Sequence, residues 1–312
     1  IKDIFCFPTE VAVPGIEVWK GKNVSGVYDF ELVTFPEEAF NIIYIPVSNG
    51  RTQAYVSVVD IPAIKDIDND GDQDIYVCRF VYLENDNSAN QLYINNGNLT
   101  FTEKATSFGL ADKGFSIHAT FFDYDKDGLI DVYIVNQPPS IPGTGNKLNA
   151  SQFSDILFSD RLYKNMGNGK FKDYTDKANI RNFGFGLSAT TSDLNNDGWD
   201  DIYVTNDFDV ADHIYINQKD GTFSEEIKEY TQHLSLSAMG IDIADINNDG
   251  HQDIAIVDMA SDDHIRAKTL MASMDTDLFW YYINYRKFHY QYMFNSLQLN
   301  NGDNSFSNIA NM

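Results

Sequence analysis

The sequence has little cysteine, little positive charge and no long apolar run. Its 312 residues contain two cysteines, Cys6 and Cys78, which excludes a disulfide framework and a thiolate zinc cluster. A single bridge between these two cysteines is an open alternative, but nothing in their spacing favours it. No stretch of about 18 apolar residues occurs, so we expect no direct membrane span.

The shortage of positive charge excludes two classes of partner. The chain has 22 Lys and Arg against 46 Asp and Glu, a formal net charge of -24. Nucleic acids and anionic membrane surfaces are bound by clustered basic side chains, so we expect neither as a partner. Disorder is also excluded, because the chain is 43% hydrophobic and 14% aromatic, which is ample material for a core.

Catalytic signatures are missing as well. The six histidines are scattered, without His-x-x-x-His spacing and without a G-x-S-x-G elbow. His118 stands beside a predicted strand and is interpreted as a packed residue rather than a base. The glycines at 167 and 169 belong to a hairpin pattern, not to a phosphate loop before a helix. No catalytic residue is predicted, and we expect a protein that is not an enzyme.

What the sequence has instead is an internal repeat. Four nine-residue segments share the pattern D-x-[DN]-x-D-G-x-x-D, and we call them the first to fourth acidic loops. They span residues 66–74, 123–131, 193–201 and 245–253, with first residues 57, 70 and 52 positions apart. One match would be weak, but four in register within one chain are hard to explain by chance.

The residues around each acidic loop repeat too. A short β-branched and aromatic run follows each loop, at 75–77, 132–135, 202–204 and 254–257. A strand, an Asn/Gly turn and a second strand then begin at Leu92, Leu162, Ile214 and Leu297. Further strands are predicted before the loops, as at 118–122 and 188–191. The predicted fold is therefore all-β, a β-propeller of four-stranded blades with calcium-binding loops, and a stacked solenoid is the alternative.

The acidic loops have the composition of a calcium site. Ca²⁺ takes about six to eight oxygen ligands, and the loops offer side-chain oxygens at positions 1, 3, 5 and 9 and a backbone carbonyl at position 7. The predicted ligands are Asp66, Asp68, Asp70, Asp72, Asp74, Asp123, Asp125, Asp127, Leu129, Asp131, Asp193, Asn195, Asp197, Trp199, Asp201, Asp245, Asn247, Asp249, His251 and Asp253. The prediction is about four structural Ca²⁺ ions, one per loop.

Other interpretations of the acidic loops fit the sequence less well. An EF-hand is excluded, because it would have a Glu at position 12, where Val77, Ile134, Val204 and Ile256 stand here. A metal-free Asp/Asn/Gly surface turn would leave clustered carboxylates repelling one another. Mg²⁺ avoids all-protein cages, and zinc is disfavoured by ligands that are all oxygen.

With the loops and the hairpins together, the chain resembles the FG-GAP/VCBS-type repeats of integrin-alpha-like β-propellers. From about residue 66 to 309 it is most similar to a bacterial surface and secreted branch related to cartilage acidic protein and associated with the ASPIC/UnbV domain; the stretch 239–250 carries this likeness closely. The resemblance implies an exported protein with a binding or scaffold role, and it says little about the ligand.

For domain organisation, we expect one β-propeller domain over residues 1–312 that begins and ends within blades. About five blades' worth of material is present, either part of a larger ring, such as a seven-bladed one, or a ring closed by strands from both ends. Residues 3–5 look like the end of another loop and strand, and residues 18–19 with 28–30 like another hairpin. Insertions are predicted at about 138–160 and 261–294.

The expected function is a calcium-stabilised binding or assembly module for a protein or glycan ligand, as in adhesion. It would be extracytoplasmic, secreted or at the cell surface, and outer-membrane associated in a Gram-negative bacterium. Two alternatives stay open: an extracellular carbohydrate-active enzyme such as a lyase, and a structural subunit of a larger surface assembly. The aromatic residues of 261–294 either pack against blades or bind a partner, and part of this segment is predicted to be an amphipathic helix.

Overall fold

Most of the residues that the structure describes lie between positions 62 and 310. In this computed structural model the described residues are 17–24, 27–34, 42–46, 52–56, 62–80, 89–98, 100–138, 156–207, 210–259 and 276–310. The predictions for residues 3–5 and Cys6, and most of those for the two insertions, lie outside these ranges. A Cys6–Cys78 bridge therefore stays untested.

Two antiparallel hairpins precede the repeats. β1 (Glu17–Val24) pairs with β2 (Val27–Thr34), with Trp19 opposite Leu32. β3 (Ile42–Pro46) pairs with β4 (Thr52–Val56). The hairpin predicted from residues 18–19 and 28–30 is confirmed.

Four antiparallel sheets of four strands follow, and we call them the first to fourth blades. The first contains β5 (Pro62–Lys65), β6 (Asp74–Val77), β7 (Gln91–Asn95) and β8 (Phe101–Glu103). The second contains β9 (Ser116–Phe122), β10 (Asp131–Asn136), β11 (Arg161–Asn165) and β12 (Phe171–Asp173). The third contains β13 (Phe185–Ser192), β14 (Asp201–Asp207), β15 (His213–Asn217) and β16 (Phe223–Glu225).

The fourth blade is interrupted by a short parallel pair, β17 (Leu234–Ser235) with β20 (Gln291–Tyr292). The blade itself contains β18 (Ala238–Ala244), β19 (Asp253–Asp258), β21 (Ser296–Asn300) and β22 (Phe306–Asn308). In all four blades the acidic loop joins the first strand to the second, and the predicted hairpin supplies the third and fourth. The all-β propeller of four-stranded blades is thus confirmed, and the count of about five blades stays a prediction.

Helical segments are short in the described part of the chain. They are α1 (Ala105–Phe108), a 3-10 turn (Ile156–Phe158), α2 (Ile227–Tyr230) and α3 (Thr276–Tyr281), which continues as a π turn (Tyr282–Arg286). The helix expected within 261–294 is confirmed over its described portion. No described helix is both long and apolar enough to cross a bilayer.

The hydrophobic core lies between neighbouring blades. The second strands of the second and third blades are the most buried: every residue of β10 and β14 is buried, because both faces of these strands are covered. Val132 and Ile134 join a cluster with the first blade, whereas Tyr133 and Val135 join one with the third. Full burial stabilises each such apolar side chain by about 1.5–3 kcal/mol. The first strands β9, β13 and β18 lie side by side, which brings the acidic loops of successive blades near one another.

Candidate metal centre

The first residue of each acidic loop holds the turn in place. In the third loop, Asp193 Oδ1 accepts a hydrogen bond from the Asp197 N–H at 2.9 Å, and its Oδ2 accepts one from the Gly198 N–H at 2.7 Å. The other three loops repeat both bonds, at 2.9–3.2 Å. Gly198 has a φ of +88°, a left-handed conformation that disfavours a side chain. Each loop therefore needs Asp at position 1 and Gly at position 6.

The last residue of each loop ties the loop to its own blade. Asp201 is fully buried; its Oδ2 accepts the Leu194 N–H at 2.9 Å and its Oδ1 accepts the Asn217 N–H at 2.9 Å. The residues Asp74, Asp131 and Asp253 make the same two bonds. Burial raises the pKa of Asp201 to about 7, against the opposing effect of these N–H donors. Ionising this carboxylate is costly because it is buried, and a nearby cation would favour its ionised form.

The asparagine that ends the third strand is a functional residue that the sequence analysis missed. Besides its N–H bond to Asp201, Asn217 donates from Nδ2 to the Asp200 carbonyl at 3.3 Å and accepts the Lys219 N–H at 2.9 Å. The equivalent residues Asn95, Asn165 and Asn300 repeat this pattern. An asparagine recurs at the end of the third strand in all four blades, and this repetition is the sequence pattern that could have drawn attention to it.

The side chains at positions 1, 3 and 9 converge. One oxygen from each of Asp66, Asp68 and Asp74 lies within 4.8 Å of the other two, and the same holds for Asp123, Asp125 and Asp131 in the second loop. In the third and fourth loops Asn195 and Asn247 stand at position 3, so an amide oxygen replaces one carboxylate. The predicted side-chain ligands at these positions are thus brought together in the first two loops.

Position 5 is partly engaged by the loop backbone. Its carboxylate accepts the N–H of position 7 in each loop; an example is Asp197 Oδ1, which accepts the Trp199 N–H at 3.0 Å. The other three loops repeat it at 2.8–2.9 Å. The second oxygen of position 5 also accepts a hydrogen bond in three loops, from Lys164 Nζ in the second loop and from the Nδ2 of Asn195 and Asn247 in the third and fourth loops. The backbone carbonyls assigned to position 7 (Asp72, Leu129, Trp199 and His251) stay a prediction.

Two buried oxygens show that the clusters suit a cation. Asp68 Oδ1 and Asp125 Oδ1, both at position 3, are shielded from solvent and have no hydrogen-bond partner. Burial, together with the charges of Asp70 and Asp66, raises the pKa of Asp68. A buried acceptor without a partner costs about 1–3 kcal/mol, and a bound cation would remove that cost. An all-oxygen set of this kind fits a hard divalent ion.

Successive loops are also connected to each other. Asn217 of the third blade donates to the Tyr124 carbonyl in the second loop at 2.8 Å, and Asn300 of the fourth blade donates to the Leu194 carbonyl in the third loop at 2.8 Å. Between the third and fourth loops, Asn196 Nδ2 and His251 Nδ1 are 2.6 Å apart. A metal bound in one loop would therefore be connected to the neighbouring loop through hydrogen bonds between protein groups.

The other predicted constellations lie away from the loops. The His118 side chain packs between β9 and β13, where its Nδ1 accepts the Ala189 N–H at 3.3 Å and burial lowers its pKa. In the aromatic segment Phe279 packs against Tyr292, with ring centroids 5.7 Å apart, whereas Trp280 and Tyr285 are 48% and 78% exposed. This segment therefore both packs against its surroundings and exposes rings to solvent.

Comparisons with known proteins agree with this architecture. The model of the FG-GAP-like repeat matches residues 66–134, 148–204 and 193–256, which together exceed half of the chain. Integrin alpha-3 of Mus musculus and that of Cricetulus griseus are each 37% identical to this chain over an alignment of 83 residues, and the match covers 23% of this chain. The chain spans 8% of the length of these curated relatives. The resemblance inferred from the acidic loops and hairpins is thus confirmed, and the chain belongs to the FG-GAP-like repeat family.

Proposed function

We propose that this protein is a calcium-stabilised β-propeller that acts outside the cytoplasm as a binding or assembly module for a protein or glycan ligand. The observation that carries the proposal is the repeated oxygen cluster in the acidic loops, with a buried, partnerless carboxylate oxygen at position 3 of the first and second loops. The proposed domain is a single propeller through residues 1–312.

Calcium is the ion that the donor set favours. Carboxylates at positions 1, 5 and 9 are held by backbone N–H bonds, and so are the position-3 amides of the third and fourth loops, so the loop is arranged before the ion arrives. Ca²⁺ accepts such crowded all-oxygen sets, whereas Mg²⁺ retains its waters. An ion that binds only the folded state, and not the unfolded chain, stabilises the protein by about 2.7 kcal/mol per site when the ion concentration is a hundred times the dissociation constant.

The location and the ligand class rest on similarity and on surface chemistry. The match to integrin alpha-3 supports an extracellular or cell-surface setting and a protein ligand. The exposed rings of Trp280 and Tyr285 support contact with a partner protein or with sugar rings. The narrower expectation of an outer-membrane protein in a Gram-negative bacterium rests on the sequence resemblance alone.

The calcium part is tested by calorimetric titration and thermal melting of the purified chain in Ca²⁺, Mg²⁺ and EGTA. We expect EGTA to lower the melting temperature by about 5 °C or more relative to Ca²⁺. Asp197→Asn should weaken one site at least tenfold, because the amide keeps the hydrogen bond to the Trp199 N–H but loses the charge. Equal melting temperatures in Ca²⁺ and EGTA would contradict the proposal.

The matched control is Asp176→Asn, which removes the same charge from an exposed side chain outside the acidic loops. Asp176 is paired with Arg181 at the surface, a contact of small energetic value. This variant should titrate with calcium as the unaltered protein does.

The binding part is tested by applying the calcium-loaded protein to glycan and extracellular-protein arrays. Trp280→Ala should reduce binding of the protein to any array ligand that the unaltered chain binds. Met259→Ala, which alters an exposed apolar residue outside the 261–294 segment, should leave that binding unchanged. A degradation screen on the same glycans distinguishes the enzyme alternative, since reproducible release of oligosaccharides would count against a binding module.

A further inference from the structure

The second acidic loop differs from the other three because a largely buried lysine side chain contacts two of its carboxylates. Lys164 lies on β11, and its Nζ donates to Asp127 Oδ2 at 2.6 Å and to Asp125 Oδ2. These carboxylates are at positions 5 and 3 of the loop. An ammonium group therefore contacts two of the side chains that would ligate a metal ion.

The lysine occupies a register position that is apolar elsewhere. Lys164 immediately precedes Asn165, whose N–H binds Asp131 at the end of the loop. The residues at the same position in the first, third and fourth blades, each one before the corresponding asparagine, are Ile94, Ile216 and Leu299. The blade scaffold thus accepts an aliphatic side chain here, and a lysine at this register position is particular to the second of the four blades.

Because the Lys164 side chain is largely buried, breaking its contact with the two carboxylates is costly. The Lys164 side chain is 14% exposed, and its Nζ also lies 5.6 Å from the ring centroid of Tyr124. An ammonium removed from water needs an opposite charge, which Asp125 and Asp127 supply. Lys219, which is 3.2 Å from Asp197 in the third loop, is 46% exposed and can turn to solvent at little cost.

We propose that Lys164 is a built-in counter-cation of the second acidic loop, which makes this loop the weakest calcium site of the four. The inference rests on the proposed function, in which the acidic loops bind calcium. An ammonium and a divalent ion would both contact the oxygens of Asp125 and Asp127, and two cations held by the same oxygens repel each other. Calcium then enters this loop only when the ammonium is displaced, whereas the loop keeps its form without metal.

The test is calorimetric titration with Ca²⁺ of the unaltered chain, Lys164→Ile and Lys164→Met. Isoleucine is the residue of the first and third blades at this position, and methionine keeps the unbranched chain if isoleucine impairs folding. We expect the unaltered chain to show one fewer tight site than either variant, with at least a tenfold gain in affinity at the added site. Lys172→Ile, an exposed residue opposite Lys164 in the register, should leave the titration unchanged.

Thermal melting separates a lost counter-cation from a packing defect. In EGTA, Lys164→Ile should melt below Lys172→Ile, because the carboxylates of Asp125 and Asp127 lose their neutralising charge. Saturating Ca²⁺ should close most of that gap, whereas a packing defect would persist with calcium. A gap that calcium does not close would overturn the inference.

The outcomes also separate this inference from the proposed function. If the unaltered chain binds no calcium and the Lys164 variants bind one equivalent, the proposed function and the ranking of the second loop fail, whereas the counter-cation role of Lys164 stands. If neither binds calcium, both fail. If all binding constants are the same with and without Lys164, the inference alone is overturned.

Discussion

At the residue scale, a polar side chain stands just before the third strand of each blade, buried in the first three blades and exposed in the fourth. Asp212 Oδ1 accepts the Asn206 N–H at 2.8 Å, and its Oδ2 accepts the Tyr203 hydroxyl at 2.9 Å. Asp160 in the second blade has equivalent partners in Asn136 and Tyr133. In the first and fourth blades Asn90 and Asn295 accept the matching N–H bonds. The position thus requires an acceptor and tolerates either a carboxylate or an amide.

This tolerance leads to a prediction about pH. Burial raises the pKa of Asp212 to about 7 from its ordinary value of 3.8, so the folded state holds an extra proton between these values. The stability contributed by that proton is complete below about pH 4 and is lost as the pH rises to about 7. Asp212→Asn does not titrate, and an amide is accommodated at this position in the first blade.

We therefore expect Asp212→Asn to gain stability relative to the unaltered chain as the pH is raised from 4.5 to 7.5. Urea unfolding in EGTA at the two pH values measures the difference, and contributions from the acidic loops cancel because both proteins contain them. Asp176→Asn, at an exposed site, should show no such change. A difference for Asp212→Asn that is the same at both pH values would contradict the assignment.

At the scale of the element, the acidic loop is a turn whose shape is set by the backbone as well as by charge. Positive φ occurs at position 6 and also at position 4, where Asn69, Lys126, Asn196 and Asn248 have φ between 56° and 60°. Asparagine adopts this conformation more readily than most residues, which accounts for its presence at position 4 in three of the loops. The loop is therefore constrained at two points before any metal binds.

Gly198→Ala tests this constraint. Gly198 has a φ of +88°, and a Cβ there would meet no atom closer than 3.7 Å, so the cost is conformational rather than steric. We expect a loss of about 1–2 kcal/mol in the free energy of unfolding and weaker calcium binding at the third loop. Gly240→Ala, at a glycine of ordinary φ with ordinary contact to Val257, should cost less. Equal losses, measured by urea unfolding, would argue against the constraint.

The sequence allowed the loops, their flanking strands and the hairpins to be predicted because those signals are local. Asp193, Gly198 and Asp201 lie within nine residues, and their spacing reflects one turn. The partners of Asn217 and Lys164 could not be predicted, because they lie 16 and 39 residues away along the chain and are brought alongside only by the folding of the blade. Spacing along the chain carries no information about which side chain of a later strand faces the loop.

At the scale of the whole molecule, neighbouring blades are joined near their acidic loops as well as through their cores. Asn300 binds Asp253 of its own loop through its N–H and the Leu194 carbonyl of the preceding loop through its side chain. Asn217 connects the third blade to the second loop in the same way. Both side chains are buried, so each connection is an internal part of the blade interface. Loss of order in one loop should therefore reach the loop of the preceding blade.

Hydrogen exchange of Asn300→Ala tests this connection between blades. The substitution removes the donor to the Leu194 carbonyl and leaves that buried acceptor without its partner, at a cost of about 1–3 kcal/mol. We expect faster exchange in peptides covering the third loop, residues 193–201, as well as in the fourth blade. Asn301→Ala is the matched control, because its side chain is exposed and bonds within its own hairpin. Faster exchange confined to the fourth blade in Asn300→Ala would mean that the blades respond independently, and the acidic loops would then bind calcium without influencing each other.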